Sequence, residues 1–112
     1  MIDIKFLRKS DKLVSFKVSG HAEYYEGDVT VYDDVVCGVV SSLAQVTIIG
    51  VTEVLKIDVP YVAEDGDIQL DISKLSSEEI DKCSVLLETM LLGLKNIEED
   101  YGEYIKVSVE EV

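Results

Sequence analysis

Val35-Val36-Cys37-Gly38-Val39-Val40-Ser41-Ser42-Leu43-Ala44-Gln45-Val46-Thr47-Ile48-Ile49-Gly50-Val51-Thr52-Glu53-Val54-Leu55-Lys56 is the stretch on which the fold turns. Its valines, isoleucines and threonines favour strands by propensity alone. Its length argues otherwise. The run is too long for one strand and holds no turn pair that would divide it into two. Val36, Val40, Leu43, Thr47, Gly50 and Val54 recur at three-to-four spacing, and so do Val35, Val39, Ser42, Val46 and Ile49. A helix apolar on most sides is a buried helix. The expectation is a buried central helix, with Asp33 or Asp34 as its cap.

The flanks supply a sheet for that helix to lie on. Before it, Ile2, Ile4 and Phe6 alternate with polar partners, and Leu13 or Val14 leads to Phe16 and Val18. Period-two alternation around the turn Lys9-Ser10-Asp11-Lys12 predicts an antiparallel hairpin. After the helix, Asp58-Val59-Pro60 breaks the chain. Tyr61 to Ala63 and Ile68 to Ile72 flank Glu64-Asp65-Gly66-Asp67, a second hairpin. Ser76 with Glu79 three residues on is a capping-box pattern. It opens a second helix whose stripe is Ile80, Cys83, Leu86, Leu87, Met90, Leu91, Leu94 and Ile97. A last strand runs from Tyr104 to Val109. The order is β-β-α-β-β-α-β in a small single α+β domain spanning 1–112, a mostly antiparallel sheet packed with a buried central helix and a second amphipathic helix.

Composition limits the classes of function. The chain has 112 residues, 47% of them hydrophobic, enough for a core without metal or disulfide staples. No uninterrupted apolar run of membrane-spanning length is expected. Met1-Ile2-Asp3-Ile4-Lys5 lacks the basic and apolar regions of a signal peptide, so the cytoplasm is the expected compartment and no membrane partner is expected. The two cysteines then read as thiols rather than a disulfide. A net charge of −13 argues against nucleic acid, whose phosphates need Lys and Arg. The acidity favours a basic partner, or serves solubility alone.

One loop holds the chemistry. His21 is the only histidine, and it follows the second strand at Gly20. Cys37 lies at the start of the central apolar run. A thiol and an imidazole at the two ends of one loop suggest nucleophilic catalysis, in which the imidazole takes the thiol proton and returns it to the leaving group. A helix starting near Asp34 would place Cys37 in its first turn, where unpaired N–H groups favour a thiolate and could hold an oxyanion. Gly38 would let a substrate backbone approach, and Ser41 follows one turn on along the same face. Asp34 either caps the helix or orients His21. Tyr24, Tyr25 and Tyr32 cap the core edge or line a peptide groove, with Gly27 at a turn between them. Cys83 falls on the second helix's apolar stripe and reads as core. One His and two distant Cys lack zinc-ligand spacing, and no cofactor motif is present.

Ser19-Gly20-His21-Ala22, followed by Asp34-Val35-Val36-Cys37-Gly38-Val39-Val40-Ser41, resembles the two motifs of the ribosomal-processing cysteine protease family, often called Prp. That family's pattern runs Ser-Gly-His-Ala, then Asp-Ile-Val-Cys-Ala-x-Val-Ser. The likeness continues through Ser42-Leu43-Ala44-Gln45 to Gly50 and Glu53-Val54-Leu55, and supports the helix over the strand. The resemblance implies a homodimeric bacterial cysteine endopeptidase. Such an enzyme removes the N-terminal extension of the twenty-seventh protein of the large ribosomal subunit, a basic substrate. It implies His21 as general base and acid, Cys37 as nucleophile, and Asp34 and Ser41 as supporting polar residues. The loop from His21 to Cys37 is longer than the family's, and Tyr32 stands where the family has glycine. A non-catalytic module that binds a basic or ribosomal segment, or a divergent paralogue with another peptide substrate, is the alternative expectation.

Overall fold

The computed structural model describes residues 1–20 and 31–112, with residues 31–34 as backbone. Strands β1 (Ile2–Lys9) and β2 (Lys12–Ser19) form the first hairpin. Its turn residues Ser10 and Asp11 have φ of 51° and 68°. Two left-handed residues in a row match the twist of the strands they join. Ile2, Ile4 and Phe6 are buried on one face of β1, and Phe16 stands opposite Phe6 with ring centroids 5.9 Å apart.

The sequence left Leu13 and Val14 as alternatives, yet both are buried. Leu7 pairs with Ser15 and Arg8 pairs with Leu13, so Val14 is an extra residue in β2. A bulge of this kind lets two neighbours in sequence face the same core.

Strands β3 (Tyr61–Glu64) and β4 (Asp67–Asp71) make the second hairpin, and β5 (Ile105–Glu111) is the last strand. The sheet order is β3-β4-β2-β1-β5, antiparallel except for the parallel pair of β1 with β5. Helix α1 (Val31–Ile49) continues into a π-helical turn at Gly50–Val54, and α2 (Ser77–Tyr101) precedes β5. Val36, Val40, Ala44 and Ile48 of α1 join Leu87, Leu91 and Leu94 of α2 and the apolar face of the sheet in one core.

Polar contacts fix the position of α2. Ser76 Oγ accepts the Glu79 amide at 3.2 Å, closing the expected cap. Arg8 Nη1 donates to Glu88 Oε1 at 2.6 Å, tying the end of β1 to α2. Glu98 Oε2 accepts the Val107 amide at 2.7 Å.

Two expectations for the central helix need correction. Val31 is already helical, so Asp33 and Asp34 lie inside α1 rather than capping it. The helix is also not buried on most sides. Val35, Val39, Val46 and Ile49 form an exposed stripe, with Val46 63% accessible. By length and mean composition Val35–Val54 could cross a membrane, but Ser41, Ser42, Gln45 and Glu53 interrupt its apolar run, as expected. Its other face, through Val36, Val40, Ala44, Ile48 and Val51, is packed into the core.

Candidate active site

A groove of about 310 Å³ runs between α1 and one end of the sheet. Cys37, Ser41 and Gln45 line it from α1, Gly20 from the end of β2, and Glu64, Asp65 and Asp67 from the β3–β4 hairpin. The helical residues are spaced by four, which stacks them on one face, about 6 Å apart along the axis per step. Cys37 is half-buried at this wall.

The opposite wall depends on Gly20. Its φ is 89°, and a Cβ there would lie 2.7 Å from the Met1 carbonyl oxygen. A side chain would therefore meet rigid backbone as well as an unfavourable conformation. The Gly20 amide donates to the Gly66 carbonyl at 3.1 Å, joining the end of β2 to the tip of the second hairpin. Gly66 itself turns the hairpin at φ 76°.

Ser41 lines the groove one turn beyond Cys37, and a Cβ at Gly38 would meet nothing within 4 Å among the described residues. The expected role of the helix N-terminus is not met. With Val31 helical, Cys37 lies at least six residues inside α1, about 9 Å along its axis. At that depth the N–H groups of Cys37 and Gly38 fall in the part of a helix where each bonds to the carbonyl four residues back. The dipole effect is concentrated in the first turn.

His21, Tyr24, Tyr25 and Gly27 lie outside the described residues, as do the side chains of Asp34 and Tyr32. Cys83 is fully buried on α2, as expected, and burial pushes its thiol pKa up, with the Glu79 carboxylate adding to the effect.

Two features of the groove were not expected from sequence. Gln45 Nε2 donates to Ser41 Oγ at 2.9 Å, and both residues line the groove. The spacing of Cys37, Ser41 and Gln45 carried that signal. The acidic turn Glu64-Asp65-Gly66-Asp67, read only as a hairpin, also forms a wall of the site.

A mixed sheet covered on one face by two helices presents a thiol on the first helix to a groove at the sheet's end. The chain belongs to the family described as cysteine protease Prp, whose model matches residues 1–106, and is accordingly a cysteine protease. The crystal structure of SMU.848 from Streptococcus mutans is 25% identical with a TM-score of 0.80, over 100% of this chain and 96% of that one. An essential ribosomal processing protease Prp from S. aureus, in complex with a substrate peptide, is 20% identical with a TM-score of 0.80, over 98% of this chain and 100% of that one. The same S. aureus protease with a covalently linked product peptide has a TM-score of 0.63 at 20% identity, over 98% and 100% of the two chains. No curated protein matches the chain.

Proposed function

We propose that the protein is an endopeptidase that removes the N-terminal extension of the twenty-seventh large-subunit ribosomal protein, with Cys37 as nucleophile and His21 as general base and acid. One observation carries the pairing. Gly20, the residue that His21 follows in sequence, lines the same groove as Cys37. In this reading the imidazole takes the Cys37 proton as sulfur bonds to the scissile carbonyl carbon. The carbon–nitrogen bond then breaks as that proton passes to the leaving amine. Water attacks the thioester, giving one proton back through His21 to the sulfur, and the carboxylate product leaves.

The substrate assignment rests on the family and on charge. A groove walled by Glu64, Asp65 and Asp67, on a chain of net charge −13, suits a basic ribosomal segment. The S. aureus relative is a ribosomal processing protease crystallised with a substrate peptide, which supports the same class of substrate here. Asp34 and Ser41 are the supporting polar residues in this reading. Gly38 leaves room for the peptide backbone, and Gly27, Tyr24, Tyr25 and Tyr32 contribute to substrate recognition in this reading. The enzyme works in the cytoplasm as one domain over its 112 residues and pairs as a homodimer. The exposed stripe Val35, Val39, Val46 and Ile49 supports that pairing, because apolar surface of this kind marks an interface.

The test is cleavage of a peptide spanning the extension junction. The wild type should release both fragments, and Cys37→Ala and His21→Ala should release neither while circular dichroism shows them folded. Full cleavage by either folded variant would refute the assignment. Binding without turnover by the wild type would favour a non-catalytic module.

A further inference from the structure

We infer that Gln45 is a positioning residue that holds the Ser41 hydroxyl toward the Cys37 sulfur. This rests on the reading of Cys37 as nucleophile. Ser41 and Gln45 are joined by the 2.9 Å bond from Gln45 Nε2 to Ser41 Oγ, and both residues line one groove with Cys37.

The argument is one of donors and acceptors. A serine hydroxyl has one donor and two acceptor positions. On a helix its default is to donate to the carbonyl four residues back, which for Ser41 is that of Cys37. Thr47 and Thr52 do this, donating to the carbonyls of Leu43 at 2.8 Å and Ile48 at 2.9 Å. At Ser41 the oxygen accepts from Gln45, one turn further from the nucleophile. The bond fixes the oxygen from the far side and leaves its proton to be donated. Accepting a hydrogen bond also strengthens a hydroxyl as donor. Cys37 is the neighbour one turn back on the same face, and its thiolate is the acceptor that gains most from such a donor.

The other charged groups around the sulfur set the background. Glu64, Asp65 and Asp67 line the same groove as Cys37.

The experiment reads iodoacetamide alkylation of Cys37 against pH in the intact protein. Gln45→Met keeps the length of the side chain and removes the amide, and Gln45→Ala removes both. Each should move the alkylation midpoint up by about half a pH unit. Ser41→Ala should give the same shift, and the double variant Ser41→Ala with Gln45→Met should give no more than Ser41→Ala alone. An unchanged midpoint in Gln45→Met overturns the inference. So does a Gln45→Met shift that persists in full without Ser41. His21→Ala is measured alongside: a wild-type profile indifferent to it refutes the nucleophile reading itself, and the inference with it.

Discussion

The Gly20 amide donates to the Gly66 carbonyl at 3.1 Å. This bond fastens the end of β2, from which His21 continues, to the tip of the acidic hairpin that walls the Cys37 groove. Gly20→Ala would put a Cβ 2.7 Å from the Met1 carbonyl oxygen at a φ of 89°. The expected cost is about 2 kcal/mol in urea unfolding, from left-handed strain plus the clash. Cleavage should fall further than the lost stability explains, because the groove wall moves. A variant as stable and active as wild type would show that the glycine is incidental.

Gly38 predicts the opposite sign. It is exposed within α1, and a Cβ there meets nothing within 4 Å among the described residues. Gly38→Ala should stabilise the protein by about 1 kcal/mol through helix propensity alone. A rise in urea midpoint at constant slope checks this.

Cys83 separates the two thiols of the chain. It is fully buried, and burial raises its pKa. Alkylation of the folded protein should therefore modify Cys37 alone, with Cys83 reacting only after denaturation. The same shift has a consequence for stability. The unfolded thiol ionises near about 8.5, whereas the folded one holds its proton to higher pH. The stability this contributes is present below the unfolded value and is lost as pH rises from there through the folded value. Cys83→Ala should flatten that alkaline slope.

The stripe on α1 is tested by charge. Val46 is 63% accessible, at the middle of Val35, Val39, Val46 and Ile49. If the proposed homodimer pairs through this face, Val46→Glu should leave the fold intact and give a monomer in sedimentation velocity where the wild type gives a dimer. An unchanged mass would remove this face from the interface.

Much of this architecture was legible in the chain. Ile2, Ile4 and Phe6 alternate as one strand face, and Ser76 with Glu79 marks the start of α2; the structure keeps both. The central run was harder, because its β-branched residues occupy both helical faces. Periodicity identifies a helix there, but it does not say whether Val46 meets the core or a neighbour. The start of α1 was misread for a local reason. Asp33 and Asp34 are good caps by residue type, yet they lie after Val31, which is already helical. That displacement also removed the helix-terminal donors expected at Cys37. Gln45 was quoted in the sequence motif without a role, since only its bond to Ser41 reveals one.

The most direct test of the central claim is the pH dependence of Cys37 alkylation by iodoacetamide in the wild type and in His21→Ala. The account predicts a rate that reaches its plateau well below the free-thiol pKa of about 8.5, with that plateau lost in the variant. A Cys37 that titrates as an ordinary thiol in both proteins would contradict the coupled thiol–imidazole pair.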